Sequence, residues 1–459
     1  MHMARRPTEK TKIVKPVSKF PLPKFDETNN FRLDQLSELP DEILVSILSL
    51  LTLKEAGRTS VLSRRWRYLW KFTTGSLDFD DSRIRRLVGN GLAKISLRNE
   101  RGRFVRWVNH VLELHQGHTI NEFKVRFDLD EEYCKAETDN WINFSLGKKV
   151  KRLSLDFKPF IGDFPFGRYT LTTKILDGYN LDCLTDLCLT NVEMNGEVLG
   201  YVLSNCPLIE VLHVEGSKSL VNFKSPGPLL KLKHLEVIRC FTLKKIEISA
   251  INLLSFKYCG NKIRMCLGDI PNLVEVSVTG TYAYDFVTDR CSISSSLSQL
   301  QTLEIVMSIE NIPRFPRFRD LRNLRQLTLI SFSYLAKSLL CCTHMLKASP
   351  FLHKFALKMF GLGDGPMEGK IKVRKAKHPH QCLKVVELIG FVGCTVDMEL
   401  ALNLINNAAS LEKIIIDTRS PDLEEMLWDS REPQQKLAAL NSARQLETRL
   451  PPGAEMVIL

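Results

Sequence analysis

A six-residue pattern, apolar-x-x-apolar-x-apolar, recurs twelve times between residues 120 and 416. The instances are INEFKV (from Ile120), VKRLSL (Val150), LTDLCL (Leu184), IEVLHV (Ile209), LKHLEV (Leu232), LLSFKY (Leu253), LVEVSV (Leu273), LQTLEI (Leu300), LRQLTL (Leu324), LHKFAL (Leu352), LKVVEL (Leu383) and LEKIII (Leu411). The last three residues alternate with period two, as a short strand does. No single strand can bury its apolar face alone, but a stack of repeats can, which dictates a solenoid.

Successive hexamers start 20 to 34 residues apart, bracketing the 20–29-residue leucine-rich repeat. Some gaps carry helical stripes. Val198, Leu199, Val202 and Leu203 share one face before Pro207, and Met398, Ala401, Leu402, Ile405 and Ala408 share another. Gaps of 20 and 21 residues leave no room for a full helix, so the middle repeats are expected to return by a loop or 3₁₀ turn. A thirteenth hexamer, LKKIEI from Leu243, falls out of step and reads as an insertion or a turn-only repeat. Ahead of the repeats, Leu77-Asp78-Phe79 reads as a short strand. Residues 104–114 read as an amphipathic helix capping the solenoid's N-terminus, while residues 281–300 and 313–319 fit no repeat. The fold class is therefore α/β: three N-terminal helices, then an irregular, horseshoe-like leucine-rich-repeat solenoid with short parallel strands on its concave face.

The N-terminal helices occupy residues 33–72. Pro40 with Asp41 and Glu42 makes a good helix start, and Ile43, Leu44, Ile47, Leu48 and Leu51 follow as one stripe. Thr52 and Glu55 have capping-box spacing for a second helix. A third piece, Ser63 to Phe72, carries Trp66, Leu69, Trp70 and Phe72 among arginines. About forty residues cannot internalise Val45, Leu50, Trp66 and Trp70 as well as the main stripe, so a partner surface is expected, either elsewhere in this chain or on another protein.

Leu39-Pro40-Asp41-Glu42-Ile43-Leu44, Ile47-Leu48, Val61-Leu62-Ser63-Arg64-Arg65-Trp66 and Leu69-Trp70 resemble an F-box nearly residue for residue. The stretches NLDCLTDLCLTNVEM, VLSNCPLIEVLHVEGS and SAINLLSFKYCG are similar to plant F-box/leucine-rich-repeat proteins, and the segment from Leu383 to Asp417 resembles their FBD-type C-terminal region. The resemblance implies a non-catalytic receptor subunit of a Skp-cullin-F-box ubiquitin ligase. Leu39, Pro40, Ile43, Leu44, Ile47, Leu48, Val61, Leu62, Trp66 and Leu69 would include both adaptor-facing and local-core positions. An unidentified protein substrate would bind on the solenoid, where the exposed central strand positions Cys188, His213, Glu236, Ser277, Glu304 and Thr328 are candidates. The implied organisation is a basic tail (1–32), F-box (33–80), linker and solenoid cap (81–119), repeats (120–378) and FBD-like repeats with a cap (379–459). The rival reading is a non-ligase interaction scaffold.

The net charge of +12 is uneven: +6 over residues 1–24, −4 over 25–62, +8 over 63–106, and only +2 beyond. A body that binds long nucleic acid needs a continuous basic stripe, so nucleic-acid binding is not expected of the repeats. The tail and residues 63–106 are where it would lie, and the tail could equally act as a nuclear import signal or a plain solvated tail. The longest apolar-rich run, Ile43 to Leu51, is far short of the about 20 residues that cross a bilayer. No secretory h-region opens the chain, so its twelve cysteines are expected to be reduced, in the nucleus and/or cytoplasm. No cofactor or metal is expected. The chain has no Walker motif and no CxxC pair. GLGDG (361–365) reads as a turn, His378-x-His380 with Cys382 as a polar loop, and Cys206 as a structural repeat cysteine.

Overall fold

The computed structural model describes residues 36, 38–81, 84–85, 96–129, 131–160, 169–268, 270–287, 294–308, 321–332, 338–360, 371, 373, 378–421 and 433–459. The basic tail, the segment 313–319 and the GLGDG turn lie outside them.

The N-terminal unit contains helices Asp41–Leu48, Leu53–Arg58 and Trp66–Leu69, with 3₁₀ turns at Thr59–Val61 and Trp70–Phe72. Its small core is Leu44, Leu48, Ala56, Trp66 and Leu69, with Leu39, Val45, Leu51 and Trp70 packed against it. The capping box forms as the spacing required: Thr52 Oγ1 accepts from Glu55 N–H, and Glu55 Oε2 accepts from Thr52 N–H at 3.0 Å. Thr52→Ala is therefore expected to cost about 1 kcal/mol of stability, read by denaturant titration of the full chain; a change near zero would sink the assignment.

Among the described residues, fourteen strands form one parallel sheet in chain order. All twelve hexamers enter it, each strand starting two residues after the hexamer's first apolar position. That first residue is buried in every case, from Ile120 to Leu411. The strand expected at Leu77 is the sheet's first, Ser76–Asp80, pairing with Glu122–Arg126, and the closing Glu455–Ile458 is its last. The backing includes helices Leu97–Leu114, Glu131–Gly147, Gly196–Asn205, Thr395–Asn407 and Pro433–Glu447. Thr281–Val287 and a 3₁₀ turn at Ser294–Gln299 fill part of the stretch 281–300 that fits no repeat.

The hexamer at Leu243 is neither an insertion nor a turn-only repeat. Its strand, Lys245–Ser249, lies centrally in a second parallel sheet between Asn222–Pro228 and Arg264–Leu267. These segments return the chain across the back of the middle repeats, where a loop or 3₁₀ turn was expected. Extended chain advances about 3.3 Å per residue against 1.5 Å in a helix, so it spans the return in fewer residues.

The N-terminal unit is seated firmly on the solenoid. Trp70 packs against both its own cluster and the main core, and Leu53 belongs to the main core. Lys71 C=O accepts from Gln116 N–H at 2.7 Å, and His115 Nε2 lies 2.9 Å from Thr73 C=O. Gly75 sits where any Cβ would collide with the Ser49 carbonyl, so only glycine permits this close junction.

Candidate functional site

The F-box-like segment divides its apolar residues sharply. Leu44, Leu48, Trp66 and Leu69 are buried, while Leu39 and Ile47 are half-buried. Pro40 and Ile43 are exposed, as are Val61 (87%) and Leu62 (66%). Leu50, off the main stripe, is 87% exposed. Ile43 and Ile47, four residues apart, share one side of helix Asp41–Leu48, and Leu50 stands in the turn just beyond it. Of the four residues expected to overflow, Leu50 alone is left exposed. Trp66 fits inside, Val45 packs on the small core, and Trp70 is partly covered by the solenoid. Arg65 ties the third helical piece to the start of the first, bonding Asp41 Oδ1 and, at 2.6 Å, the Leu39 carbonyl. The exposed apolar residues thus stand on a braced frame.

On the sheet, strand register aligns the six substrate-face candidates in one row. Cys188 pairs with His213, His213 with Glu236, Glu236 with Lys257, Lys257 with Ser277, Ser277 with Glu304, and Glu304 with Thr328. Lys257 belongs to the same row and was readable from the fifth position of LLSFKY. The row continues through Ala356 and Glu387 to Ile415, although Ala356 is buried. Ser277 Oγ donates to Glu304 at 2.8 Å. A parallel row two residues on turns apolar at Ile238, Val306, Ile330 and Ile389, all half-buried.

His213 is the electrostatic centre of this face. Nδ1 lies 2.7 Å from Glu236 Oε2, and Nε2 lies 3.3 Å from Thr190 Oγ1 and 3.7 Å from Glu215. Burial pulls its pKa down and is the largest single influence, yet the carboxylates of Glu215 and Glu236 facing its two ring nitrogens together outweigh it and raise the pKa to about 9. Both carboxylates sit below their usual range: the bond to His213 lowers Glu236, and at Glu215 His213, Lys158 and Arg239 overcome burial. His213 is therefore an imidazolium at neutral pH. A raised folded-state pKa contributes stability fully present below about 6.5 and lost as pH rises through about 9. His213→Gln is accordingly expected to lower the thermal midpoint near pH 6 much more than near pH 9.5. An equal deficit at both would overturn the pairing.

Other chemically suggestive groups serve the fold. His380 Nδ1 accepts from the N–H groups of Cys382 and Leu383, and its Nε2 is 2.9 Å from Ser349 C=O. His380 is thereby spent on turn geometry. Among the described residues no trio of His, Cys, Asp or Glu converges on a metal site. Cys206 is buried, its thiol pushed up to about 12 by burial; Cys188 and Cys240 rise to about 11. These thiols stay protonated at neutral pH. Buried Asp397 accepts from Val392 and Gly393 N–H at 2.8 and 2.9 Å, fastening the turn before helix Thr395–Asn407. No helix among the described residues is long and apolar enough to cross a membrane.

Comparison with known proteins bears on both surfaces. A family model described as the At1g61320/AtMIF1 LRR domain matches residues 169–442, and an F-box domain model matches residues 36–72. The chain is similar to three Arabidopsis thaliana proteins. It is 28% identical to F-box/FBD/LRR-repeat protein At1g13570, covering 56% of each chain. It is 30% identical to F-box/LRR-repeat protein At2g42730, covering 52% of this chain and 54% of that one. It is 25% identical to a putative FBD-associated F-box protein, At5g56440, covering 54% and 59%. The chain thus spans little more than half the length of the curated relatives it matches.

Proposed function

The chain belongs to the plant F-box/leucine-rich-repeat family, its repeats of the At1g61320/AtMIF1 type, and from that premise we propose that it is a substrate receptor of a Skp-cullin-F-box ubiquitin ligase. The observation that carries the reading is the exposure of Leu50, Val61 and Leu62 on a unit whose own core is closed. Exposed leucine and valine on a braced helical frame suit a helix-lined groove on another protein. Pro40, Ile43 and Ile47 extend that surface, with Leu39 at its margin. Leu44, Leu48, Trp66 and Leu69 hold the frame.

The substrate would lie on the sheet row containing His213, Glu236, Ser277, Glu304 and Thr328, to which Lys257 is added. No bond is made or broken by this chain in such a role. It raises the effective concentration of a substrate lysine beside a charged ubiquitin carrier held by the cullin. The rigid seat around Trp70 supports this, because a loose joint would dilute the effect.

The test is co-purification of the full chain with a Skp-type adaptor, followed by cullin. A stoichiometric complex is expected. A folded chain that captures no such adaptor would overturn the proposal and favour the rival scaffold reading, in which the N-terminal helices only cap the solenoid.

A further inference from the structure

The back of the middle repeats carries a surface that adaptor and substrate docking leave unused. The second sheet and the turns leading into it enclose an open depression of about 760 Å³, floored by Val221, Phe241 and Ile263 and bordered by Lys244, Lys262 and Arg264. Phe241 is 58% exposed and Val221 38% exposed, unusual for residues with nothing apparent to cover them. The floor is pre-formed. Thr242 Oγ1 donates to the Lys218 carbonyl at 2.6 Å, and Asn261 Nδ2 to the Phe241 carbonyl at 3.0 Å, locking three successive turns together.

Cations outnumber acids around this floor. Lys218, Lys224, Lys244, Lys262 and Arg264 are all exposed. The nearby acids are already engaged, Glu247 with Lys245 and Asp285 with Lys262 at 3.1 Å. Glu247 is held below the usual carboxylate range by its bond to Lys245, with Lys224 and Arg264 adding to the effect. Lys245 and Arg264 are direct register neighbours on adjacent strands. Among the described residues, strand Arg264–Leu267 pairs only with Lys245–Ser249, and the start of helix Thr281–Val287 lies close by, with Thr281 Oγ1 accepting from Lys262 N–H and Tyr282 Oη donating to Met265 Sδ at 3.5 Å.

We infer that this face is a second docking site, for an acidic protein segment that places one apolar side chain on Phe241. Charge complementarity selects the acids, and the apolar floor selects the central residue. A nucleic acid fits less well. The cations cluster over three strands, about 10 Å across, whereas a duplex needs a long stripe; a single strand that stacked a base on Phe241 is told apart by the DNA control below.

The test is fluorescence anisotropy on the full chain with a labelled eight-residue peptide, one leucine flanked on each side by acidic residues. Controls are the same peptide with serine for leucine, and a single-stranded DNA of equal charge. Saturable binding is expected, weakened at least about tenfold by Lys244→Glu with Arg264→Glu. Phe241→Ser and the serine peptide should each weaken it at least about fivefold. Circular dichroism and adaptor co-purification should be unchanged in both variants, keeping this result separate from the ligase proposal. No saturable binding by about 1 mM peptide would overturn the inference. So would binding indifferent to the variants, or DNA that binds as well as the peptide regardless of Phe241.

Discussion

Replacing Val61 and Leu62 together by aspartate is expected to weaken capture of a Skp-type adaptor at least about 100-fold while leaving circular dichroism unchanged. Burying a leucine or valine side chain contributes about 1.5–3 kcal/mol, so losing two removes at least about 3 kcal/mol, or roughly two powers of ten. Two carboxylates forced into an apolar groove add a desolvation cost. In the free chain both positions are exposed, so the substitutions cost little stability. Leu48→Asp would be a poor substitute: Leu48 is 1% exposed, and a charge there would disrupt the core that holds the surface. Isothermal titration with purified adaptor decides the matter. Unchanged affinity in the double variant would remove Val61 and Leu62 from the docking surface.

Trp141→Ala should be the most damaging single truncation near the solenoid's N-terminal end. Trp141 is 1% exposed in helix Glu131–Gly147, with its ring 6.5 Å from that of Phe104. Its Nε1 donates to Asn109 Oδ1 at 2.6 Å, stapling two neighbouring helices. The cavity costs about 3–5 kcal/mol, and the abandoned Asn109 amide adds about 1 kcal/mol. Trp141→Phe keeps most of the volume and loses the hydrogen bond, so a loss of about 1–2 kcal/mol is expected. Urea unfolding of both variants gives the comparison. A loss under about 1 kcal/mol for Trp141→Ala would show that the helices close over the gap.

Much of this was legible because the strand signal is both periodic and anchored. Each hexamer carries a buried residue ahead of its two alternating ones, and all twelve became strands. The second sheet was hidden for the opposite reason. NFKSPGP contains two prolines and RMCL is four residues long, so neither displays a period, and LKKIEI could be recognised only as out of step. Helix Glu131–Gly147 escaped because its sequence is largely polar and its apolar stripe faint. Among candidate site residues, pattern identified the row through His213 but not its chemistry. That Glu215, two residues further along the same strand, and Glu236, one strand over, both reach its ring depends on register. Likewise, the helical spacing of Leu44 and Ile43 could not say which faces inward: Leu44 packs with Leu48, Trp66 and Leu69, the last two brought by a separate helix, Trp66–Leu69, while Ile43 is exposed.

The second sheet has a consequence for shape. Strands stack about 4.8 Å apart, whereas helices packed side by side need 8–10 Å, so a sheet backed by helices must bend toward its strands. Where the backing is itself a sheet, both walls advance by the same step and the reason to bend disappears. From residue 222 to residue 267 the solenoid is such a stretch. Residues 222–267 are therefore expected to curve less than the helix-backed repeats on either side. Lys257 stands on this flatter stretch, in register between Glu236 and Ser277, so the middle of the polar row should present its side chains more nearly in one plane than its two ends do.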